Sequence, residues 1–389
     1  MQNNLKKTKH ILFFSSWYPT RVNPTHGDFV FRHGESVSLF CKTTVLHVVY
    51  DSKMAQKIQI KQNTSKSLSE YIYYFRLPFL LRFLKPVCFL LLYFYAVHLY
   101  INQQGKPDII HVHIMFPLVI IAFFCKLFCG IPYCITEHWT GYLPTAPKLL
   151  GRFKKWYIQF FSRLNSGIMP VSEDLQKALK NHGVRGQYTV VQNVVDTSLF
   201  YPSTNKDYTI IRVVHISHLN DEHKNISGIL RVFKKVCEIN SQLVLQIISE
   251  NAPLYVKEYV RELGIQQNVQ FLGYKNRQEL AQILREASYL LLFSNYENFP
   301  CVIVEALASG IPVISSNVGG ISEHVSEKNG ILVEPRNEEQ LYNAIQYMNN
   351  HYTEFNSNEL HSYAVEHFSY ESVAKSILQV YDKLLRNNT

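Results

Sequence analysis

Residues 294–325 read SNYENFPCVIVEALASGIPVISSNVGGISEHV. The five residues before them, YLLLF (Tyr289 to Phe293), form an unbroken apolar run of the kind expected for a strand covered on both faces. A polar loop follows, then Pro300 where a first helical residue fits, and an apolar helix through Val302, Ile303, Ala306 and Leu307. Gly310 and Pro312 stop that helix, and Pro312 to Ser315 resumes as a second buried strand. This order predicts Glu297 in a loop at the carboxyl end of a strand and Glu305 about a turn and a half into the next helix. In an open α/β sheet, that edge is where ligands bind. A carboxylate there can grip a vicinal diol through its two oxygens. The amides of Cys301 and Val302 open the helix and favour an anion, whereas Pro300 has no N–H to offer.

Outward from this stretch, the same rhythm of short apolar runs and helical spacers recurs. In the first half the runs are His10–Phe14, Thr44–Val49, Ile72–Arg76, Ile109–Val112, Tyr133–Thr136 and Gly167–Pro170. In the second half they are Ile211–Ile216, Leu243–Ile248, Val269–Leu272, Tyr289–Phe293, Val313–Ser315 and Ile331–Val333. Strands separated by helices predict parallel sheets built from βαβ units, here in two sets. The expected class is α/β, with two doubly wound Rossmann-like domains, residues 1–200 and 201–368. Pro202 to Lys206 supply a polar linker between them. Residues 369–389 hold a tail helix that Ser369 can cap, with Val373, Ile377, Leu378, Val380, Tyr381 and Leu384 at helical spacing.

A chain of 389 residues with 47% apolar and 18% charged residues is globular and too long for one typical core. Its seven cysteines make no CxxC pair, and the odd count argues against a complete disulfide framework, so a reducing cytosol is expected. Cys125 and Cys129 read as helix packing. The amino end has basic residues before an apolar stretch too short for a secretory core, and it reads as a first strand. No run reaches the ~20 apolar residues of a membrane span. The net charge of +9 is concentrated in the first half. The segment Leu77 to Ile101 sets Arg82 and Lys85 among Leu, Phe and Tyr, the mix of an interfacial helix, with a buried helix of the first domain as the alternative.

Residues 297–320 resemble the signature of the family 4 retaining glycosyltransferases. That signature has two glutamates separated by seven residues, a small-residue turn, Pro-Val and Gly-Gly. Here it reads Glu297, seven residues, Glu305, Ala306, Gly310, Pro312, Val313, Gly319 and Gly320. Asn298 stands where the family often has Gly. A further match is Asn193, Asp196 and Phe200 before the linker. The resemblance implies the GT-B architecture, two Rossmann-like domains facing across a cleft with a last helix crossing back to the first. It implies a nucleotide-sugar donor, with Glu297 on the transferred sugar and Glu305 on the ribose. Asn298, Phe299, Cys301, Val302, Gly27, Gly319 and Gly320 would complete the donor site. Lys224 fills a phosphate-binding Lys position, and His218 stands where the family has an Arg, an exchange that weakens the charge because imidazole is largely neutral at pH 7. His138 would reach the sugar from the opposite domain and hold a proton near neutrality.

Trp139 and Tyr142 offer flat faces to a glycan or lipid-linked acceptor. Arg21, His26 and Arg32 are further candidates for acceptor or phosphate contacts. His111 and His113 look like a metal pair but have no third ligand at suitable spacing, so neither a metal nor a cofactor is expected. Together these readings predict a cytoplasmic enzyme peripheral on the inner membrane face, acting in cell-surface polysaccharide synthesis. Two alternatives stand beside it. One is a nucleotide-sugar epimerase on the same fold. The other is a basic nucleic-acid-binding module, weakened by charge scattered among apolar runs with no reading motif.

Overall fold

In the computed structural model of the chain, the structure describes residues 9–65, 68–146, 150–240 and 242–386, so Lys6 and Lys7 of the basic amino end lie outside the described residues. The first sheet contains β1 (His10–Ser15), β2 (Lys42–Tyr50), β3 (Ile58–Ser65), β4 (Leu68–Phe75), β5 (Ile109–His113), β6 (Tyr133–Glu137) and β7 (Ile168–Pro170). Their spatial order is β3-β4-β2-β1-β5-β6-β7, parallel except for the antiparallel β3–β4 pair. The second contains β8 (Ile211–Ile216), β9 (Leu243–Ile248), β10 (Val269–Gly273), β11 (Tyr289–Leu292), β12 (Val313–Ser316) and β13 (Gly330–Val333). Its order is β10-β9-β8-β11-β12-β13, all parallel.

The apolar runs explain why both sheets are sandwiched by helices. Alternate residues of one strand enter cores on opposite faces, as period 2 demands. In the first sheet Leu12, Phe14, Ile110 and Val112 pack on one side, and Ile11, Phe13, Val45 and Ile109 on the other. In the second, Val213, Leu245 and Leu291 oppose Val214, Leu290 and Leu292. Both sheets reverse their strand order beside their first strand, between β1 and β5 and between β8 and β11. A crevice opens outside the strand ends at such a reversal.

β3 has no counterpart among the expected strands. Its apolar residues Ile58 and Ile60 are exposed at the sheet edge and are separated by polar ones, so it presents no apolar run. A second difference concerns the segment after β4. A 3-10 turn, Phe79–Leu84, runs into the helix Lys85–Gln104, giving 26 residues long and apolar enough to cross a membrane by length and composition. Counting unbroken apolar residues missed it because Arg82, Lys85 and His98 interrupt the run. One face of this helix belongs to the first domain. Tyr93, Ala96, Val97 and Tyr100 are buried on the sheet, and the Tyr93 hydroxyl donates to the Leu46 carbonyl. The other face is open, with Leu91 64% and Tyr95 55% exposed, and Phe79 and Leu80 of the preceding turn are exposed as well.

The chain crosses between the domains twice. Residues 196–210 lead into β8, and Ser369 separates the helix Ser357–Phe368 from the helix Tyr370–Arg386. Ser369 Oγ accepts from the Ser372 amide at 3.3 Å. Val373, Ile377, Val380, Tyr381 and Leu384 join the core beneath the first sheet, and Leu378 packs at its margin. All seven cysteines are free thiols.

Candidate active site

The crevice of the second sheet is built at its strand reversal. The loop after β8 carries His218 and leads to the short helix Asp221–Lys224, while the loop after the adjacent β11 carries Glu297. Lys224 therefore closes a four-residue helix and does not open one, because Asn225 takes a left-handed conformation (φ 48°) before the next helix, Ile226–Cys237. This geometry brings the Lys224 ammonium onto Glu297 Oε1, which also accepts from Ser294 Oγ at 2.8 Å. His223 Nε2 lies 3.6 Å from Glu297 Oε2, and its ring stacks on Tyr296 with centroids 4.2 Å apart. Burial pushes the Glu297 carboxyl up, but Lys224 and His223 outweigh it and hold its pKa at about 2. His223 and Ser294 were not among the expected residues; both flank a candidate in sequence, which was the available signal.

Glu305 lies in the helix Cys301–Ala308, which Pro300 precedes as N-cap. It faces a cleft of about 550 Å³ lined from the second domain by Ser217, His218, Tyr274, Lys275, Arg277, Cys301 and Val302. The first domain contributes Pro24, Thr25, Asp28 and Arg32. Arg32 Nη2 donates to Glu305 Oε1 at 2.5 Å, and its Nε donates to Asp28 at 2.6 Å. Arg277 answers from the second domain, pairing with Asp28 and Glu35, each at 3.0 Å. Burial raises the Glu305 pKa, opposed by Arg32. Arg32 is thus an interdomain partner of the second glutamate in this structure, where an acceptor or phosphate contact was expected. Arg277 and Lys275 are cationic cleft residues that the sequence reading passed over. Their signal was the Asn276–Glu279 capping box, which fixes the start of the helix Arg277–Glu286.

His218 also lines the cleft, but burial and nearby Lys224 lower its pKa to about 4, so it is a neutral wall residue and no substitute for an Arg charge.

Several other expected contacts are placed differently. Gly27 (φ 78°) heads the helix Asp28–Ser38, and a Cβ there would stand 2.3 Å from the Trp17 carbonyl carbon, so its own backbone demands glycine. Gly319 (φ 57°) likewise lets its turn approach the Glu297 carbonyl, where a Cβ would come within 1.9 Å. Gly320 presses on Ser172 of the first domain, and its amide donates to the Asn298 carbonyl at 2.7 Å. Gly319 and Gly320 shape the Glu297 loop, and none of the three glycines lines the cleft. Phe299 is core, packed on His324 and Phe368. Asn298 spans the domains, its amide donating to the His138 carbonyl.

On the facing wall, β6 ends in Glu137, whose oxygens accept from the amides of Met115, His138 and Trp139 at 2.9–3.0 Å. His138 is buried against Phe29, His33 and His113. Burial and the neighbouring His33 hold its pKa well below the usual value, so it stays neutral and does not carry a proton near pH 7. Tyr142 is 1% exposed, packed against Trp139 and His182, and offers no face to an acceptor. Trp139 remains half-buried, with the Lys154 ammonium over its ring at 4.3 Å. Arg21 pairs with Asp51 at 2.9 Å and His26 packs on Trp17.

Known proteins share the sequence pattern and the fold. Residues 202–367 match the family described as Glycosyl transferases group 1, and residues 56–199 match Glycosyltransferase Family 4. The chain belongs to the family 4 glycosyltransferases. It is 24% identical over 295 residues to an uncharacterized glycosyltransferase of Methanocaldococcus jannaschii, covering 75% of this chain and 79% of that one. It is 28% identical over 240 residues to the N-acetyl-alpha-D-glucosaminyl L-malate synthase of Bacillus anthracis, covering 57% of this chain and 60% of the synthase. Among solved structures, sucrose-phosphate synthase from Thermosynechococcus elongatus superposes with a TM-score of 0.76 at 18% identity, over 97% of this chain and 100% of that one. Anabaena HepE in complex with UDP-glucose superposes with a TM-score of 0.71 at 17% identity, over 96% and 100%. The glycosyltransferase therefore has the GT-B fold, and it is an enzyme of glycosyl transfer.

Proposed function

We propose that this glycosyltransferase moves a sugar from a nucleotide-sugar donor to a glycan or lipid-linked acceptor, with retention at the anomeric carbon, in cell-surface polysaccharide synthesis. The observation that carries this reading is the pairing of Lys224 with buried Glu297 at the strand reversal, beside the cleft holding Glu305 and Arg277. Departure of a nucleoside diphosphate leaves negative charge. Lys224, Arg277 and the amides opening the helix at Cys301 are set to receive it, so the chain's own cations supply the counter-charge in this reading. Glu305 takes the ribose once Arg32 releases it, and Glu297 orients the transferred sugar. His138 contributes a neutral hydrogen-bonding edge from the other domain. A donor of the kind carried by HepE fits this chemistry.

The acceptor side of the reading rests on the open face of the first domain. Three helical segments, 79–104, 115–129 and 152–161, hold Arg82, Lys85, Lys126, Arg152, Lys154 and Lys155 and no acidic residue. Phe83, Phe128, Phe153 and Trp156 are exposed on them. Aromatic and basic side chains together suit the surface of an anionic bilayer. The reading places the enzyme on the inner membrane face, beside a lipid-linked acceptor.

The test is nucleoside diphosphate release from a panel of sugar nucleotides, with the product anomer read by NMR. Release that depends on an added acceptor and yields a retained anomer is expected. An isomerised sugar nucleotide formed without acceptor points to an epimerase instead. Flotation with anionic liposomes tests the membrane face, and protein left soluble at low salt removes it.

A further inference from the structure

A second cavity, of about 760 Å³, opens on the first domain at the carboxyl end of β2, whose last residue, Tyr50, lines it. Its walls carry Arg21, Lys53 and Lys85 against a single carboxylate, Asp51. That carboxylate is already engaged: one oxygen accepts from Arg21 Nε and the other from the Lys53 amide, each at 2.9 Å. Neither the Lys53 nor the Lys85 ammonium has a carboxylate partner among the described residues. Two of the cations are held by aromatic rings. The Arg21 guanidinium lies 3.9 Å over Tyr74, and the Lys85 ammonium 4.8 Å from the centre of Tyr50. Ser52 and Gln59 add hydroxyl and amide donors to the same walls. A hollow with cations in excess and donors around it suits a phosphate-type anion.

Two neighbouring features bear on what such an anion is attached to. Lys85 opens the helix Lys85–Gln104 and follows the turn Phe79–Leu84, in which Phe79, Leu80 and Phe83 are exposed. An anion in the cavity therefore sits at the margin of an apolar surface that can take a hydrocarbon chain. On the other side, the loop after β1 divides the cavity from the interdomain cleft. Arg21 and Val22 line the cavity, while Pro24 and Thr25 line the cleft. Val22 and Pro24 are two residues apart, so at most ~7 Å of chain separates the two walls. The loop is braced on itself, the Thr20 amide donating to the Asn23 carbonyl at 3.1 Å and the Val22 amide to Thr20 Oγ1 at 3.2 Å.

Resting on the reading of a lipid-linked acceptor, we propose that this cavity binds the phosphate or diphosphate head of that amphiphile. Arg21, Lys53 and Lys85 hold the anion, and the hydrocarbon chain lies along Phe79, Leu80 and Phe83. The glycan that such an anchor carries extends past the loop toward the cleft. The cavity thereby gives the acceptor a charge and a place, apart from the residues that receive the departing nucleotide.

Farnesyl diphosphate and inorganic diphosphate are titrated into the full chain by calorimetry, without sugar nucleotide. Farnesyl diphosphate is expected to bind at least about tenfold tighter, since burying the equivalent of two methylenes already gives that factor. Lys53→Glu and Lys85→Glu, both at exposed side chains, should each weaken it by about tenfold or more, the worth of one hydrogen bond to a charged group. Lys177→Glu, the same charge change at an exposed lysine of the helix Glu173–Asn181, should leave affinity within twofold. Absence of binding to the unmodified chain, equal affinity for the two diphosphates, or undiminished affinity in both cavity variants overturns the proposal. Diphosphate held in the interdomain cleft gives the last of these results, because neither lysine lines it. The titration involves no turnover, so its failure leaves acceptor-dependent nucleotide release standing, and failure of that release leaves the titration standing.

Discussion

On the second-domain wall of the cleft, Glu297 is buried with Lys224 as its opposite charge; on the facing wall, His33, His113 and His138 are buried with no opposite charge in contact among the described residues. The first wall keeps Glu297 ionised by pairing it, with a pKa near 2 despite its burial. The second keeps its groups neutral, since nothing offsets the cost of a charged imidazole away from water. Each wall is thereby suited to a different part of the work: charge for a departing anion, and uncharged ring nitrogens for recognition.

The sharpest way to break this contrast is Lys224→Met, which leaves buried Glu297 without its ammonium partner, with only His223 and the Ser294 hydroxyl beside it. A loss of about 3–5 kcal/mol in urea denaturation is expected, with kcat lower by about 10²–10³-fold. Adding Glu297→Leu should return most of the stability and none of the activity. If the single variant stays within twofold of the parent by both measures, the paired-charge account of that wall is lost. Next in size is Arg32→Met, which strips Glu305 of its partner across the cleft. About 3 kcal/mol should go, the low end of the range because Arg277 remains nearby. Denaturant midpoints, with nucleotide affinity alongside, read the effect, and an unchanged midpoint shows that the link contributes nothing.

Acid should act on both walls in sequence. A depressed carboxyl pKa gives stability that is present above the unfolded value and lost as pH falls toward the folded one. For Glu297 that window runs from about 4.5 down to about 2, a total of roughly 3 kcal/mol. The histidines lowered to about 4, His33 among them, bind protons more readily when unfolded, so they erode stability from about 6.5 downward. Unfolding free energies at several pH values should fall from about 6.5 downward, with the several buried histidines giving the steeper part and Glu297 adding its share below about 4.5. A flat profile between 6.5 and 4.5 contradicts neutral burial of the histidines. The smallest effect is expected at Ser369→Ala, which removes a helix cap for about 1 kcal/mol in melting or denaturant assays and leaves kcat unchanged.

Parallel sheets write themselves into a chain as apolar runs, and that is why twelve of the strands, the linker and the tail helix were legible. β3 was not, because an exposed edge strand needs no apolar run. Placement in the fold was legible where it follows from a strand end, as for Glu297 in its loop and Glu305 in the helix after it. It was not where packing decides. Tyr142 and Phe299 became core, and Gly27 and Gly319 answered to their own backbones. Arg277 and His33 acquired their settings only from partners more than a hundred residues away.

The two crossings between the domains lie side by side. The Val195 amide donates to the Phe368 carbonyl at 2.9 Å, and Val195 forms a parallel bridge with Ser369. Two cords tied together at one point act as a door hinge: swinging about their common line keeps the tie, while twisting across it shears the bond. A swing about that line is the motion the tie permits, and the closed end of such a swing is where Asn298 meets the His138 carbonyl and Arg32 meets Glu305.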